Sequence, residues 1–140
     1  MSFRRASRIR MSASAYETIL AAASKAAPDQ EAGGVLFGVR AGRDVCVIDV
    51  AEVPPARASR TRFETTETTR NEAIERFLER ELHDSPVGYV GTWHSHLGKV
   101  GASGIDLATL RREARNAPDL IAMVVAIESG GAHQLEGYVG

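Results

Sequence analysis

The sequence contains a single cysteine, Cys46, and lacks any long hydrophobic run. One cysteine excludes an internal disulfide and is typical of a reducing compartment, which predicts a cytoplasmic location. Apolar runs such as Ile121–Ile127 fall far short of the ~20 residues that a membrane span needs, so we expect no membrane association. The first ten residues include four arginines but no apolar stretch follows them, so we expect no secretory signal there.

The chain also lacks an excess of either charge. Its 17 lysines and arginines against 18 aspartates and glutamates leave a net charge of −1, which disfavours non-specific binding to nucleic acid. The 140 residues are 44% hydrophobic and 25% charged, which predicts one soluble globular domain over residues 1–140. Arginine outnumbers lysine 15 to 2, and we interpret this bias as a bacterial coding preference.

Hydrophobic periodicity predicts a mixture of helices and strands. Ser14 and Glu17 fit a capping box, and helical spacing continues from there to about Ala27. Further helices are predicted over 69–82 and 103–115, and strands over 31–39, 45–53, 87–96, 120–127 and 134–139, with residues 1–11 as an arm or edge strand. Short turns join two pairs of strands into hairpins. The pattern predicts an α/β or α+β fold with a mixed, mostly antiparallel sheet.

Two histidines and one aspartate have the spacing of a metal site. His94 and His96 are alternate residues of a predicted strand, so both side chains point to one face. Asp106 follows His96 by ten residues and falls in the first turn of a predicted helix. Two imidazoles and a carboxylate form a three-ligand set for zinc. Such a set leaves the fourth position open for water, as in catalytic zinc sites.

Each part of this pattern also has a simpler interpretation. Strands can carry two alternating histidines whose rings are satisfied by hydrogen bonds in the core. Ser103 and Asp106 have the spacing of a helix capping box, with the acid at the positive end of the helix. This interpretation is compatible with metal binding by Asp106. Glu31, taken alone, is an ordinary charged residue at the start of a strand.

The combination of motifs resembles the JAMM (MPN-domain) metalloprotease family. The segment Glu31-Ala-Gly-Gly-Val-Leu-Phe-Gly38 is similar to the family's E-x-x-G-x-L-x-G strand. The segment from His94 to His96, followed by Ser103 and Asp106, is similar to its H-x-H…S-x-x-D signature. The order of the motifs matches, and the resemblance covers most of the chain. It implies a curved, mostly antiparallel sheet flanked by helices, related to the zinc nucleoside deaminases such as cytidine deaminase.

The resemblance also implies roles for individual residues. His94, His96 and Asp106 match the zinc ligands of the family. Glu31 matches the glutamate that acts as general base and acid toward the catalytic water, and Ser103 matches the serine that stabilises the oxyanion. Members of the family cleave isopeptide or peptide bonds after the C-terminal tail of ubiquitin or a ubiquitin-like protein.

The chain departs from the family pattern after the second histidine. Leu97 stands where the family usually has proline, and six residues separate His96 from Ser103 where the family commonly has seven. Proline stiffens the chain, so the departure predicts a looser exit from the site. The ligands are all retained, so we still expect zinc binding, with altered affinity, turnover or substrate position.

These observations predict a zinc isopeptidase or peptidase that acts on a ubiquitin-like modifier or a sulfur-carrier protein with a ubiquitin-like fold. Homologues of ubiquitin-activating and ubiquitin-conjugating enzymes are the expected further partners. The alternative is a non-catalytic or weakly active MPN-type binding or scaffold module. A nucleoside deaminase is disfavoured because that class uses a pair of cysteines as zinc ligands, and this chain has only Cys46. The sequence does not set the oligomeric state.

Overall fold

A computed structural model of the protein describes residues 8–26, 31–54, 66–81, 85–96, 104–115, 121–129 and 132–140. These ranges contain six strands and three helices: β1 (Arg8–Met11), α1 (Ala13–Ala26), β2 (Gly33–Ala41), β3 (Asp44–Glu52), α2 (Glu67–Arg80), β4 (Gly88–His96), α3 (Gly104–Arg115), β5 (Ala122–Ser129) and β6 (Ala132–Val139). The predicted elements are therefore present, with ends shifted by a few residues. The first strand covers residues 8–11 of the segment predicted as an arm or edge strand, and residues 1–7 lie outside the described part of the chain.

All six strands belong to one sheet in the order β1-β3-β2-β4-β5-β6. The pairs β2–β3, β2–β4 and β5–β6 are antiparallel, whereas β1–β3 and β4–β5 are parallel. This arrangement confirms a mixed, mostly antiparallel sheet and both predicted hairpins. The sheet is curved so strongly that its two edge strands approach each other. A Cβ placed on Gly137 of β6 would lie 2.7 Å from Cδ1 of Ile9 on β1.

Helices cover both faces of the sheet. On one face, α1 packs Ile19 into a core that includes Leu36 and Trp93, all 1% exposed or less. On the opposite face, α2 packs Phe77 edge-on against Phe37, with ring centroids 3.8 Å apart. Helix α3 covers the neighbouring part of that face, where its Leu110 meets the buried side chains of β5. Burial of this apolar surface is the main source of stability in such a fold.

The start of α1 differs from the sequence prediction. Ser12, and not Ser14, caps the helix: its Oγ accepts the N–H of Ala15 at 3.1 Å, and its carbonyl accepts the N–H of Tyr16 at 3.0 Å. The same hydroxyl donates to the carbonyl of Ile48 at 2.8 Å. This contact with β3 spans 36 residues, so the choice between two nearby serines depended on tertiary structure.

An extra residue in β4 sets which side chains face which helices. Leu36 pairs with Gly91 and Phe37 pairs with Tyr89, so Val90 has no partner of its own and forms a β-bulge. Val90 and Trp93 consequently both face the α1 core although they are three residues apart. The bulge also turns His94 and His96 toward the face that carries α3.

Candidate metal centre

Strand β4 brings the two predicted histidines together. His94 and His96 lie on one face, with ring centroids 4.9 Å apart and their Nε2 atoms 3.1 Å apart. Trp93 and Ser95 point to the opposite face and are buried, as the alternation predicted. Because β4 lies between β2 and β5 in the middle of the sheet, hydrogen bonds on both sides hold this segment in place.

Helix α3 supplies the third predicted ligand. Asp106 lies in its first turn, and Oδ2 is 3.2 Å from Nε2 of His94 and 3.1 Å from Nε2 of His96. The partial positive charge of the helix N-terminus stabilises a carboxylate at this position. The three side chains are between 12% and 16% exposed, so the cluster is largely shielded from solvent.

The triangle formed by His94, His96 and Asp106 can present three lone pairs to one point. A neutral imidazole has a lone pair on Nε2 when its hydrogen is on Nδ1, and an ionised carboxylate carries no hydrogen. The two nitrogens are 3.1 Å apart. A cation bound at that point would accept a lone pair from each of the three atoms.

The dimensions of the triangle fit a small metal ion. Ligands held tetrahedrally at the usual zinc distances lie roughly 3.3 Å from one another, and the three edges here are 3.1–3.2 Å. Two nitrogens and one oxygen match the donor preference of zinc. His94, His96 and Asp106 can therefore hold a metal ion.

Glu31 lies just before β2, at the end of the sheet that carries the histidines. The chain at this point is tied to β4, because Ser95 donates its N–H to the carbonyl of Ala32 at 2.8 Å and its Oγ accepts the N–H of Ala32 at 2.8 Å. Gly33 pairs with His94 in an antiparallel ladder, so Glu31, two residues before Gly33, lies on the side of His96. Glu31 is only 7% exposed, which argues against an ordinary charged residue on the surface.

Ser103 lies outside the described residues, as does the preceding loop with Leu97. The proposed role of Ser103 at the oxyanion and its capping interaction with α3 therefore stay predictions. So does the effect of the missing proline.

The opposite end of β4 and α3 carries a second polar cluster that sequence analysis missed. Nη1 of Arg70 on α2 lies 3.1 Å from Oε1 of Glu113 on α3, and both side chains are about a quarter exposed. The pKa of the neighbouring Tyr89 is raised to about 12, mainly by burial and also by the charge of Glu113, while Arg70 and Arg40 oppose the shift. Arg70 and Glu113 are 43 residues apart, so no local spacing could have indicated their pairing.

None of the helices in the described parts of the chain is long and apolar enough to cross a membrane.

The chain was compared with known protein families, curated proteins and solved structures. Residues 12–135 match the family described as prokaryotic homologs of the JAB domain. A search of curated proteins returned no significant match.

Two solved structures from bacteria resemble the fold. The solution structure of a Desulfitobacterium hafniense protein has a TM-score of 0.69 and 21% identity, covering 94% of this chain and 83% of that one. The solution structure of a Salinibacter ruber protein has a TM-score of 0.57 and 23% identity, covering 91% of this chain and 79% of that one. At these identities the likeness establishes the architecture alone.

Proposed function

This chain belongs to the prokaryotic homologues of the JAB domain, and on that premise we propose that it is a zinc-dependent peptidase or isopeptidase. Its substrate is a ubiquitin-like modifier or a sulfur-carrier protein with a ubiquitin-like fold, and the bond cleaved is the one after the C-terminal tail. The observation that carries the proposal is the convergence of His94, His96 and Asp106 on one point.

Each residue of the site has a separate role in the proposed reaction. His94, His96 and Asp106 hold the zinc ion, which when bound supplies Lewis-acid polarisation of the scissile carbonyl and of a water molecule. Glu31 accepts a proton from the attacking water and delivers it to the leaving amine. Ser103 donates a hydrogen bond from its hydroxyl to the oxygen on which negative charge develops. Because the nucleophile is water, the reaction needs no cysteine, and Cys46 on β3 pairs with Val39, near the other end of β2 from Glu31.

A cleavage assay on a panel of fusions tests the proposal. Ubiquitin-like and sulfur-carrier proteins carrying a C-terminal extension are incubated with zinc-loaded protein, and the products are identified by mass. The expected product ends at the modifier's last native residue. Zinc content is measured on the same samples by elemental mass spectrometry.

Two variants separate metal binding from proton transfer. His94→Ala is expected to lose both zinc and cleavage, whereas Glu31→Gln is expected to keep about one zinc per chain and to lose all but a residual rate of cleavage. Full cleavage by Glu31→Gln would contradict the role of Glu31. Tight binding of a modifier with zinc present and no cleavage would instead favour the alternative function, a binding or scaffold module.

A further inference from the structure

We propose that Ser95 is a positioning residue that holds Glu31 in place for the proposed hydrolysis. This inference rests on the proposed function and deepens it, because it names the contact that joins the general base to the metal-binding strand. Ser95 lies between the two histidines in sequence but faces away from them, and it is 2% exposed.

The contact between Ser95 and Ala32 replaces part of the regular sheet ladder. In an antiparallel pair, facing residues of a hydrogen-bonded pair exchange two bonds between main-chain N–H and C=O groups. Here the N–H of Ser95 donates to the carbonyl of Ala32, as in a ladder, at 2.8 Å. The N–H of Ala32 donates to the side-chain Oγ of Ser95 at 2.8 Å. The side chain of Ser95 therefore holds the backbone of Ala32, the last residue before β2 begins.

This hydrogen bond acts directly on Glu31. The N–H of Ala32 belongs to the peptide group that joins Glu31 to Ala32, and a peptide group is planar from one Cα to the next. Fixing the direction of that N–H fixes the plane in which Cα of Glu31 lies, and with it the direction from which the carboxylate leaves the backbone. Ser95 thus sets the position of the base through one rigid unit.

Burial makes the contact difficult to replace. Glu31 is 7% exposed and Ala32 is 4% exposed, so water has little access to the N–H if the hydroxyl is removed. A buried donor without an acceptor is unfavourable, and the chain relieves it by shifting. The histidine side chains lie on the other face of β4, so such a shift moves the base and leaves the ligands in place.

A double-mutant cycle tests the inference. Ser95→Ala is expected to keep about one zinc per chain, to leave KM near its wild-type value, and to lower kcat by about 10- to 100-fold, since small displacements of reacting groups have effects of this size. Ser95→Thr, which keeps the hydroxyl, is expected to recover most of kcat. In the Glu31→Gln background, Ser95→Ala is expected to lower the residual rate no further, because its effect passes through Glu31.

Three results would overturn the inference: wild-type kcat in Ser95→Ala, an equal loss with and without Glu31, or a loss of zinc that accounts for the lower rate. Ser24→Ala serves as the control for a serine hydroxyl, because Ser24 is exposed on α1 and contacts Nδ1 of His133 at 3.4 Å. It is expected to match the wild type in every assay.

Hydrogen exchange separates failure of this inference from failure of the proposed function. The amide hydrogen of Ala32 is expected to exchange faster in Ser95→Ala, while the amide hydrogens of the buried strand β5 keep their protection. Unchanged exchange at Ala32 would contradict the contact whatever the protein cleaves. If the wild type cleaves no fusion but Ala32 loses protection in the variant, the proposed function fails and the structural link between Ser95 and Glu31 remains.

Discussion

Strand β4 and helix α3 carry polar side chains at both ends, and the two ends are built in opposite ways. At one end, His94, His96 and Asp106 place three potential ligand atoms within 3.2 Å of one another. At the other end, Glu113 lies about two helical turns after Asp106 on α3 and pairs with Arg70 on α2. Tyr89 lies beside that ion pair.

The difference lies in what balances the charge. Glu113 has a cationic partner supplied by the fold, and the neighbouring Tyr89 is a phenol whose neutral form is favoured further by burial, which raises its pKa. Asp106 instead contacts two imidazoles, and the three atoms form a donor set that could hold a metal ion. One end of the pair of elements is therefore an ion pair between protein groups, whereas the other is the candidate metal site.

The largest expected effect is the response of the histidine end to metal removal. At a free zinc concentration a thousand times the Kd, binding adds about 4 kcal/mol to the free energy of unfolding. A chelator is expected to remove this gain from the wild type, as measured by denaturant unfolding. His94→Ala should contain no zinc and should not respond to the chelator.

Arg70→Ala is the matched control, because it disrupts the polar cluster at the other end. It is expected to bind about one zinc per chain and to respond to the chelator as the wild type does. Equal zinc contents in His94→Ala and the wild type would remove the distinction between the two ends.

A smaller effect is expected from glycine substitutions along β4. A Cβ on Gly91, between Tyr89 and His94, would overlap the carbonyl oxygen of Ala122 on β5, whereas a Cβ on Gly88 meets no atom within 4 Å. Gly91→Ala must push β4 and β5 apart, and we expect it to lower the free energy of unfolding by about 3 kcal/mol. Gly88→Ala should change it by no more than about 0.5 kcal/mol.

Denaturant unfolding of the two variants in metal-free protein measures this difference. Zinc titration then shows whether the strain reaches the ligands, and Gly91→Ala is expected to bind zinc more weakly than Gly88→Ala. Indistinguishable unfolding midpoints would mean that the close approach of β4 to β5 at Gly91 does not constrain the strand.

The sequence was sufficient for the parts of the site that depend on local spacing. Alternation along a strand correctly placed His94 and His96 on one face and Trp93 on the other. The start of α3 was also anticipated, which gave Asp106 its place in the first turn. These features follow from the geometry of single elements, so they can be derived without knowledge of the tertiary structure.

Contacts between distant segments could not be derived in this way. The link from Ser95 to Ala32 spans 63 residues, and it was hidden because a serine at a core-facing position of a strand carries no signal of its partner. The Ser12 cap of α1 and the parallel pairing of β1 with β3 depend likewise on where distant strands pass. The sequence therefore indicated the candidate ligands but not the contacts that hold the chain around them.

The smallest expected effect concerns the tyrosine end and alkaline pH. Tyrosine in an unfolded chain ionises at about pH 10, whereas burial raises the pKa of Tyr89 to about 12. Between these values the folded protein binds more protons than the unfolded one, so the free energy of unfolding falls as the pH rises through this window. The full shift corresponds to at most about 2.7 kcal/mol, and we expect about 2 kcal/mol because solvent screens part of it.

Tyr89→Phe should remove this share of the alkaline loss in stability, and Tyr16→Phe, at an exposed position of α1, is the control that should retain it. Denaturant unfolding below pH 10 and near pH 12, combined with ultraviolet titration of the phenol groups, measures both quantities. Since the tyrosine end is balanced by protein groups alone, the difference between Tyr89→Phe and the wild type should be the same with and without zinc. If this difference in the free energy of unfolding changes with zinc, the two ends of β4 are coupled. The contacts of Tyr89 would then not be independent of the metal site.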